Sequence, residues 1–360
     1  MTIKSPLLSR PAAVEAGGAD AGVAAHYGEP LREQRALAAG AAVVDLSSRG
    51  VVTVSGPDRL SWLNTLSSQQ LTNLAPGQST ELLLLSVQGR IEFDARVVDD
   101  GATTWLIVEG AEAAPLAEWL TKMKFMLRVE VADVSADWAV LGSTRRIVEW
   151  SQLVVWEDPW PHVGAGGYSY AVVGEDAHPG LERPWFEYLV PAAGLADTVG
   201  ERALAGTMAA EALRIAAWRP RWGAETDDKT IPHELDLLRT AVHLAKGCYK
   251  GQETIARVHN LGHPPRRLVF LQLDGSQHTL PAVGSEVRAG DRKVGAVTSV
   301  AQHYEMGPVA LAVIKRSVAP DEVLTVVDGD EPYAAAQELI VAPDAGQVVG
   351  RQTGFLRGVR

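Results

Sequence analysis

Apolar and polar residues alternate along residues 31–137 in a pattern that predicts both helices and strands. The run Ser47-Ser48-Arg49-Gly50 lies between the first two strand-like segments and predicts a hairpin turn. This order of elements indicates helices packed on a largely antiparallel sheet. The predicted helices are 31–40, 57–66 and 113–124, and the predicted strands are 43–46, 51–54, 80–87, 91–98 and 104–108.

A second unit of similar pattern follows, and the pattern changes again after Pro264-Pro265. From Arg266 onward, short β-rich runs alternate with glycine turns, which is typical of a small barrel or sandwich. We therefore predict an α+β fold that ends in a small β-barrel. Its segments are a flexible N-terminal tail (1–30), a first α+β domain (31–137), a second α+β domain (138–265) and a C-terminal β-barrel (266–360). In the second domain we expect strands near 139–141, 169–173 and 186–190 and helices near 194–205 and 208–217.

Composition narrows the classes of function. The net charge is −11 and the sequence pI is about 5.3, so DNA would meet long-range repulsion. The longest aliphatic run, 82–85, is too short to cross a membrane, and we expect a cytoplasmic protein. A single cysteine excludes an intramolecular disulfide and an iron–sulfur cluster held by this chain's thiolates alone. We predict no metal site.

That cysteine, Cys248, lies between two glycines and two lysines. Lys246 and Lys250 would favour a thiolate over a thiol, because nearby positive charge stabilises the ionised form. The alternative is a small residue that fills a gap in the core. The residues alone leave both interpretations open.

The run Lys246-Gly-Cys-Tyr-Lys-Gly-Gln-Glu253 resembles the K-G-C-F/Y-x-G-Q-E signature of the YgfZ family. These are folate-binding proteins related to the T-protein, the aminomethyltransferase of the glycine cleavage system. The resemblance extends over most of the chain from about residue 31. It implies a GcvT-like fold with three domains around a central tetrahydrofolate site, and a role in maintaining or assembling iron–sulfur clusters in other proteins. Further similar segments are 44–47, 52–56, 213–215, 256–268, 295–299 and 307–311.

The resemblance also implies site residues. Glu187 matches the T-protein glutamate that holds the pteridine, and a carboxylate can accept two hydrogen bonds from the pterin edge. An exposed strand glutamate is the alternative. In place of the T-protein run Gly-Gly-Ile-x-Asp-Asp, this chain has Phe93 at the first aspartate position and Asp94 at the second. Whether Asp94 is catalytic or a plain strand-end carboxylate stays open.

The candidate catalytic residues are therefore Cys248 and Asp94. The candidate folate-binding residues are Glu187, Arg214, Lys246, Gly247, Tyr249, Gly251, Gln252, Glu253 and Arg257. Two departures from the T-protein pattern weigh more against aminomethyl transfer than against folate binding: Trp218 replaces a glycine, and Gly180 stands where a tyrosine is expected.

We expect a tetrahydrofolate-binding protein, or one that binds a one-carbon-substituted folate, with Cys248 as working thiol. Its expected partners are iron–sulfur client proteins, with no DNA and no membrane, and a monomer is favoured. The alternatives are a folate-dependent aminomethyltransferase and a folate-binding scaffold without chemistry.

Overall fold

The computed structural model describes residues 4–276 and 278–348. Its helices are α1 (Pro30–Ala38), α2 (Arg59–Leu66), α3 (Gly110–Met123), α4 (Leu195–Val199), α5 (Thr207–Ala216) and α6 (Gln252–Leu261). Its strands are β1 (Val14–Glu15), β2 (Ala24–His26), β3 (Ala42–Asp45), β4 (Gly50–Ser55), β5 (Ser79–Leu85), β6 (Ile91–Asp99), β7 (Thr103–Val108), β8 (Glu130–Asp133), β9 (Trp138–Ser143), β10 (Val154–Glu157), β11 (Phe186–Pro191), β12 (Ala203–Ala205), β13 (Arg266–Leu273), β14 (Glu286–Ala289), β15 (Arg292–His303), β16 (Gly307–Lys315), β17 (Leu324–Asp328) and β18 (Glu331–Leu339).

Two five-stranded sheets, ordered β10-β11-β9-β3-β12 and β5-β6-β7-β4-β8, take their strands from residues 42–205. The predicted hairpin between β3 and β4 is wrong, because the two strands belong to different sheets. β3 pairs with β9 and, in parallel, with β12. The sheet that contains β3 therefore takes strands from both predicted α+β domains. Turn residues at Ser47–Gly50 indicate a change of chain direction, but they do not indicate which strand pairs with which.

The six strands β13-β16-β15-β14-β17-β18 close into a barrel, which confirms the predicted C-terminal barrel and the α+β class. Alternate side chains of β13, such as Val269 and Leu271, fill the barrel core. Their neighbours Leu268 and Phe270 pack outward into the interdomain core with Leu83 and Tyr249. The barrel is thus fixed to the rest of the molecule by apolar contact. Of the predicted range 266–360, residues 349–360 lie outside the described part.

Residues 4–26, expected to be a flexible tail, pack against the sheet of β3 and β9. Leu7 is 1% exposed and belongs to a core cluster with Tyr188 and Leu195. β1 and β2 pair antiparallel, and β2 runs so close to α5 that a Cβ on Gly206 would lie 2.0 Å from the Ala25 carbonyl oxygen. Burial of small apolar groups anchors this segment, which its Ala- and Gly-rich composition does not indicate.

Two further predicted elements differ in the structure. The segment 169–173 contributes only an isolated bridge between Ala171 and Val341 rather than a strand. The helix predicted at 194–205 is limited to α4 and is followed by β12. Within the described residues, none of the helices is long and apolar enough to cross a membrane.

Candidate functional site

Strand β6 directs charged side chains toward the centre of the molecule. Phe93, Ala95 and Val97 face the core of the second sheet. Because side chains of a strand alternate between its two faces, Asp94 and Arg96 point the other way. The neighbouring strand β5 pairs Glu81 with Arg96, which brings another carboxylate to this face. A row of charges therefore lies where the two sheets meet.

The described residues at this junction form what we call the central charge cluster. Its members are Arg49, Glu81, Asp94, Arg96, Glu109, Asp158, Glu187 and Arg219.

Glu187, on β11, joins one half of the cluster. Its Oε1 accepts hydrogen bonds from Arg49 Nη1 and from Trp185 Nε1, the latter at 2.9 Å. Arg96 Nε lies 3.4 Å from the same oxygen, and Arg96 Nη2 lies 3.6 Å from Glu109 Oε1. The Glu187 side chain is 1% exposed, so these cations are its neutralising partners in a low-dielectric setting.

Arg219 joins the other half. Its Nη2 donates to Glu81 Oε1 at 2.6 Å, and its Nε donates to Asp158 Oδ2 at 3.2 Å. Thr240 Oγ1 donates to Glu81 Oε2 at 2.6 Å. Both oxygens of Glu81 are thereby used, whereas Asp94 Oδ1 has no hydrogen-bond partner.

The carboxyl groups of the cluster differ in their electrostatics. Burial raises the pKa of Asp94 well above its usual range, and the adjacent Glu81 adds to this shift. Burial would raise the pKa of Glu187 as well, but the positive charges of Arg49 and Arg96 outweigh this effect and hold the pKa of that carboxyl below its ordinary value. Against the same burial, Arg221, Arg49 and Arg96 lower the pKa of Glu109 to about 2. Glu187 and Glu109 are therefore anionic, whereas burial disfavours the ionised form of Asp94.

A cavity of about 640 Å³ adjoins the cluster. Arg49, Glu109 and Arg221 form its polar wall, and Trp138 and Trp222 contribute aromatic surface. This volume is within the range of small-molecule sites. The cavity therefore combines a charged wall with flat apolar surface at the edge of the cluster.

The signature loop is held against the end of α2, and its Gly251 packs on the hairpin of β5 and β6. Lys246 Nζ donates to the carbonyl oxygens of Asn64, Ser67 and Gln69, the last two at 2.6 and 2.9 Å. Burial lowers the pKa of Lys246 to about 8. Gln252 Nε2 donates to the Lys246 carbonyl at 3.2 Å and closes the loop. Lys246 is thus a structural anchor, and its ammonium group is occupied by carbonyls.

Tyr249 is the apolar anchor of the same loop. Its side chain packs into the interdomain core with Leu83, Leu85 and Ile91, and burial raises the pKa of its hydroxyl. The other side of the loop is open. Cys248 is exposed, as are Gly247, Glu253 and Arg257. The loop therefore presents its thiol on the surface, and Cys248 is not among the residues that line the 640 Å³ cavity.

Lys250, the second lysine of the run, lies on the exposed side with an ion pair to Glu92 at 2.9 Å. This pair connects the loop to β6 two residues from Asp94. The structure therefore brings the signature loop and the strand of Asp94 together, with the thiol outside and the carboxyl buried.

Gly251→Ala is expected to lower the free energy of unfolding by about 2 kcal/mol. Gly251 has φ 87°, and a Cβ there would lie 2.6 Å from the Ser86 carbonyl oxygen. Gly247→Ala is the matched control, because a Cβ on Gly247 meets no atom within 4 Å. Chemical denaturation should show a change below about 0.5 kcal/mol for the control. Equal losses for both variants would show that the packing of Gly251 on the hairpin is unimportant.

Arg214, on α5, lies in a neighbouring cluster that ties this helix to the barrel. It donates to Glu211 and Glu225 and, at 2.6 Å, to Ser299 Oγ. The structure places it at the barrel interface, apart from Glu187 and Asp94.

Trp218, which follows α5, has φ 58°, a conformation that glycine adopts most readily, and its ring packs edge-on against His178 at 5.6 Å.

Sequence reasoning does not select Arg49, Arg96, Glu109, Arg219 or Arg221. These residues come from distant segments, so no local motif joins them. One usable signal is in β6, where Glu92, Asp94 and Arg96 occupy every second position and alternate with apolar residues. Such spacing predicts one polar face of a buried strand.

Comparisons with known proteins agree with this architecture. A family model described as the GCVT N-terminal domain matches residues 24–143. An aminomethyltransferase of Nostoc sp. is 28% identical over 306 residues, covering 80% of this chain and 80% of that protein. The tRNA-modifying protein YgfZ of Klebsiella pneumoniae is 26% identical over 303 residues, covering 79% of this chain and 89% of that protein.

A solved structure shows the same fold. The crystal structure of glycine cleavage system aminomethyltransferase T from Bartonella henselae matches with a TM-score of 0.73 at 17% identity, covering 93% of this chain and 94% of that one. The fold is therefore GcvT-like. Residues 24–143 match the GCVT N-terminal domain, and most of the chain is similar in sequence to aminomethyltransferases and to a YgfZ protein.

Proposed function

We propose that this chain binds tetrahydrofolate at the central charge cluster and supports iron–sulfur enzymes through the thiol of Cys248. The observation that carries the folate part is the pair of buried carboxyl groups, Glu187 and Asp94, each with one oxygen that has no hydrogen-bond partner in the described structure. Buried polar atoms without partners are rare, and they mark places where a ligand can supply the missing bond.

The chemistry of these groups fits a reduced pterin. Its 2-amino group and ring N–H donate hydrogen bonds, and anionic Glu187 accepts them as a charge-assisted pair. The protonated form of Asp94 offers a donor to a ring nitrogen or carbonyl. Arg221 of the cavity wall suits a carboxylate of the folate tail, while Trp138 and Trp222 suit its aromatic ring.

When bound, tetrahydrofolate supplies nitrogen atoms that can carry a one-carbon unit. In that complex Glu187 would orient the pterin, and Asp94 would hold a proton close to the reactive nitrogens.

The role of Cys248 is separate. Its exposure on an anchored loop supports direct contact with a client protein, because the single thiol of the chain cannot hold a cluster alone. The association with iron–sulfur clients follows from the resemblance to the YgfZ family.

A folate-dependent aminomethyltransferase is the second candidate. Relatives with that name and the retained Asp94 favour it, whereas Phe93 at the first aspartate position disfavours it. A scaffold that only binds folate is the third, and it predicts a Cys248 without function.

Turnover separates the first two candidates. The purified chain is mixed with tetrahydrofolate and an aminomethyl-lipoyl carrier protein, and ammonia release is followed. We expect binding of the folate without release of ammonia, with an authentic aminomethyltransferase as positive control. Sustained release at the rate of that control would overturn the proposed function in favour of the transferase.

A further inference from the structure

A small flap borders the 640 Å³ cavity. It consists of residues 17–22, Gly-Gly-Ala-Asp-Ala-Gly, between the paired strands β1 and β2. Gly18, Ala19 and Ala21 line the cavity. Gly18 and Gly22 have φ 62° and 96°, and a Cβ on Gly17 or Gly18 would meet no atom within 4 Å. Glycines at both ends are suited to a hinge.

Both ends of the flap are anchored, while the flap itself is tied by few interactions. The base is closed by the hydrogen bond from Ala16 N to the Val23 carbonyl at 2.9 Å, and Leu7 and Val23 are both 1% exposed. Inside the flap, the hydrogen bonds donated by Asp20 N and Ala21 N are both 3.3 Å long. The flap has one charged side chain, Asp20.

Asp20 forms a two-pronged ion pair with Arg221 of the cavity wall. Arg221 Nη1 donates to Asp20 Oδ2 at 3.0 Å, and Arg221 Nη2 donates to Asp20 Oδ1 at 2.8 Å. Ser48 Oγ adds a contact at 3.3 Å. Arg221 Nη2 also donates to Glu109 at 2.6 Å. A planar guanidinium that takes a carboxylate through both nitrogens has the geometry that recognises a free carboxylate ligand.

We propose that Arg221 binds a carboxylate of the ligand's tail, and that Asp20 occupies this position until the ligand displaces it and the flap moves. This inference rests on the proposed folate binding, and it names the part of the ligand that Arg221 recognises. Asp20 is thus an internal competitor. Arg221 keeps Glu109 as a partner when the flap leaves, so the exchange replaces one carboxylate by another and leaves no buried cation unpaired.

The test compares Asp20→Asn with the wild type by calorimetric titration of two ligands. One is tetrahydrofolate, and the other is its dimethyl ester, in which both tail carboxylates are masked. Removing the competitor should tighten tetrahydrofolate binding about tenfold, because the binding-competent form is then more populated. Binding of the ester should change by less than about twofold. Glu29→Gln is the control, since it removes the same charge from an exposed side chain paired with Arg32.

Three results would overturn this inference. The first is equal affinity of wild type and Asp20→Asn for tetrahydrofolate. The second is the same gain for acid and ester, which would mean that Asp20 does not compete with a carboxylate. The third is the same gain in Glu29→Gln, which would reduce the effect to net charge. If all proteins bind both ligands without preference, the inference fails while folate binding stands; if none binds either, both fail.

Discussion

Glu187→Gln is expected to lower the free energy of unfolding by about 3–5 kcal/mol, because it removes the charge that neutralises buried arginines. The Glu187 side chain is 1% exposed, and Arg49 and Arg96 are 9% and 15% exposed. The amide keeps the shape of the carboxylate, so the loss reports charge rather than packing. Urea denaturation followed by tryptophan fluorescence measures it.

Asp94→Asn is the matched variant. Burial and Glu81 raise the pKa of Asp94 well above its usual range, so the neutral amide replaces a carboxyl group that favours its neutral form. We expect a change below about 1 kcal/mol. The pH dependence of stability follows from the direction of this shift. A carboxyl group whose pKa is raised on folding contributes stability at low pH, and this contribution is lost as the pH rises through its pKa in the folded state. Equal losses for both variants would contradict the opposite directions of the two pKa shifts, lowered for Glu187 and raised for Asp94.

Cys248→Ala is expected to abolish support of iron–sulfur client enzymes in cells, down to the level of cells without the chain. Affinity for tetrahydrofolate should stay within about twofold, because the exposed thiol lies outside the cavity lining and the loop is held by Lys246. Activity of a client enzyme in complemented cells, together with calorimetry on the purified variant, measures the two effects.

Lys250→Gln on the same loop is the control for Cys248→Ala. Its side chain is also exposed, and its ion pair with Glu92 is a surface pair of small energetic weight. Full client activity in Cys248→Ala would eliminate the thiol role. Equal loss in both variants would assign the effect to the loop surface rather than to sulfur.

The barrel and most helices could be predicted because their signals are local. Short apolar runs separated by glycine turns, at 268–273, 284–287, 294–300, 309–314 and 323–327, indicate β13 to β17, and the structure places strands there with bounds that differ by a few residues. The spacing of Leu116 and Leu120 likewise indicates α3, and both residues are buried. The spacing of apolar residues is enough to predict a helix or strand that buries its own apolar face.

Pairing between distant segments could not be predicted. β3 joins β9 and β12, about 95 and 160 residues further along the chain, and no local pattern encodes such contacts. The same holds for the site. Glu187 and Asp94 follow from the family resemblance, but their partners Arg49, Arg96 and Arg219 come from three separate segments. The signature run indicates an important loop, whereas only the structure separates the anchors Lys246 and Tyr249 from exposed Cys248.

Titration of the wild-type chain with tetrahydrofolate, beside Glu187→Gln and Cys248→Ala, tests whether the chain binds folate through Glu187. We expect one folate per chain for the wild type and for Cys248→Ala. For Glu187→Gln we expect a loss of affinity of about tenfold or more at a temperature where that variant is folded, since a charge-assisted hydrogen bond to the pterin is removed. No binding by the wild type, or unchanged binding by Glu187→Gln, would contradict folate binding through Glu187.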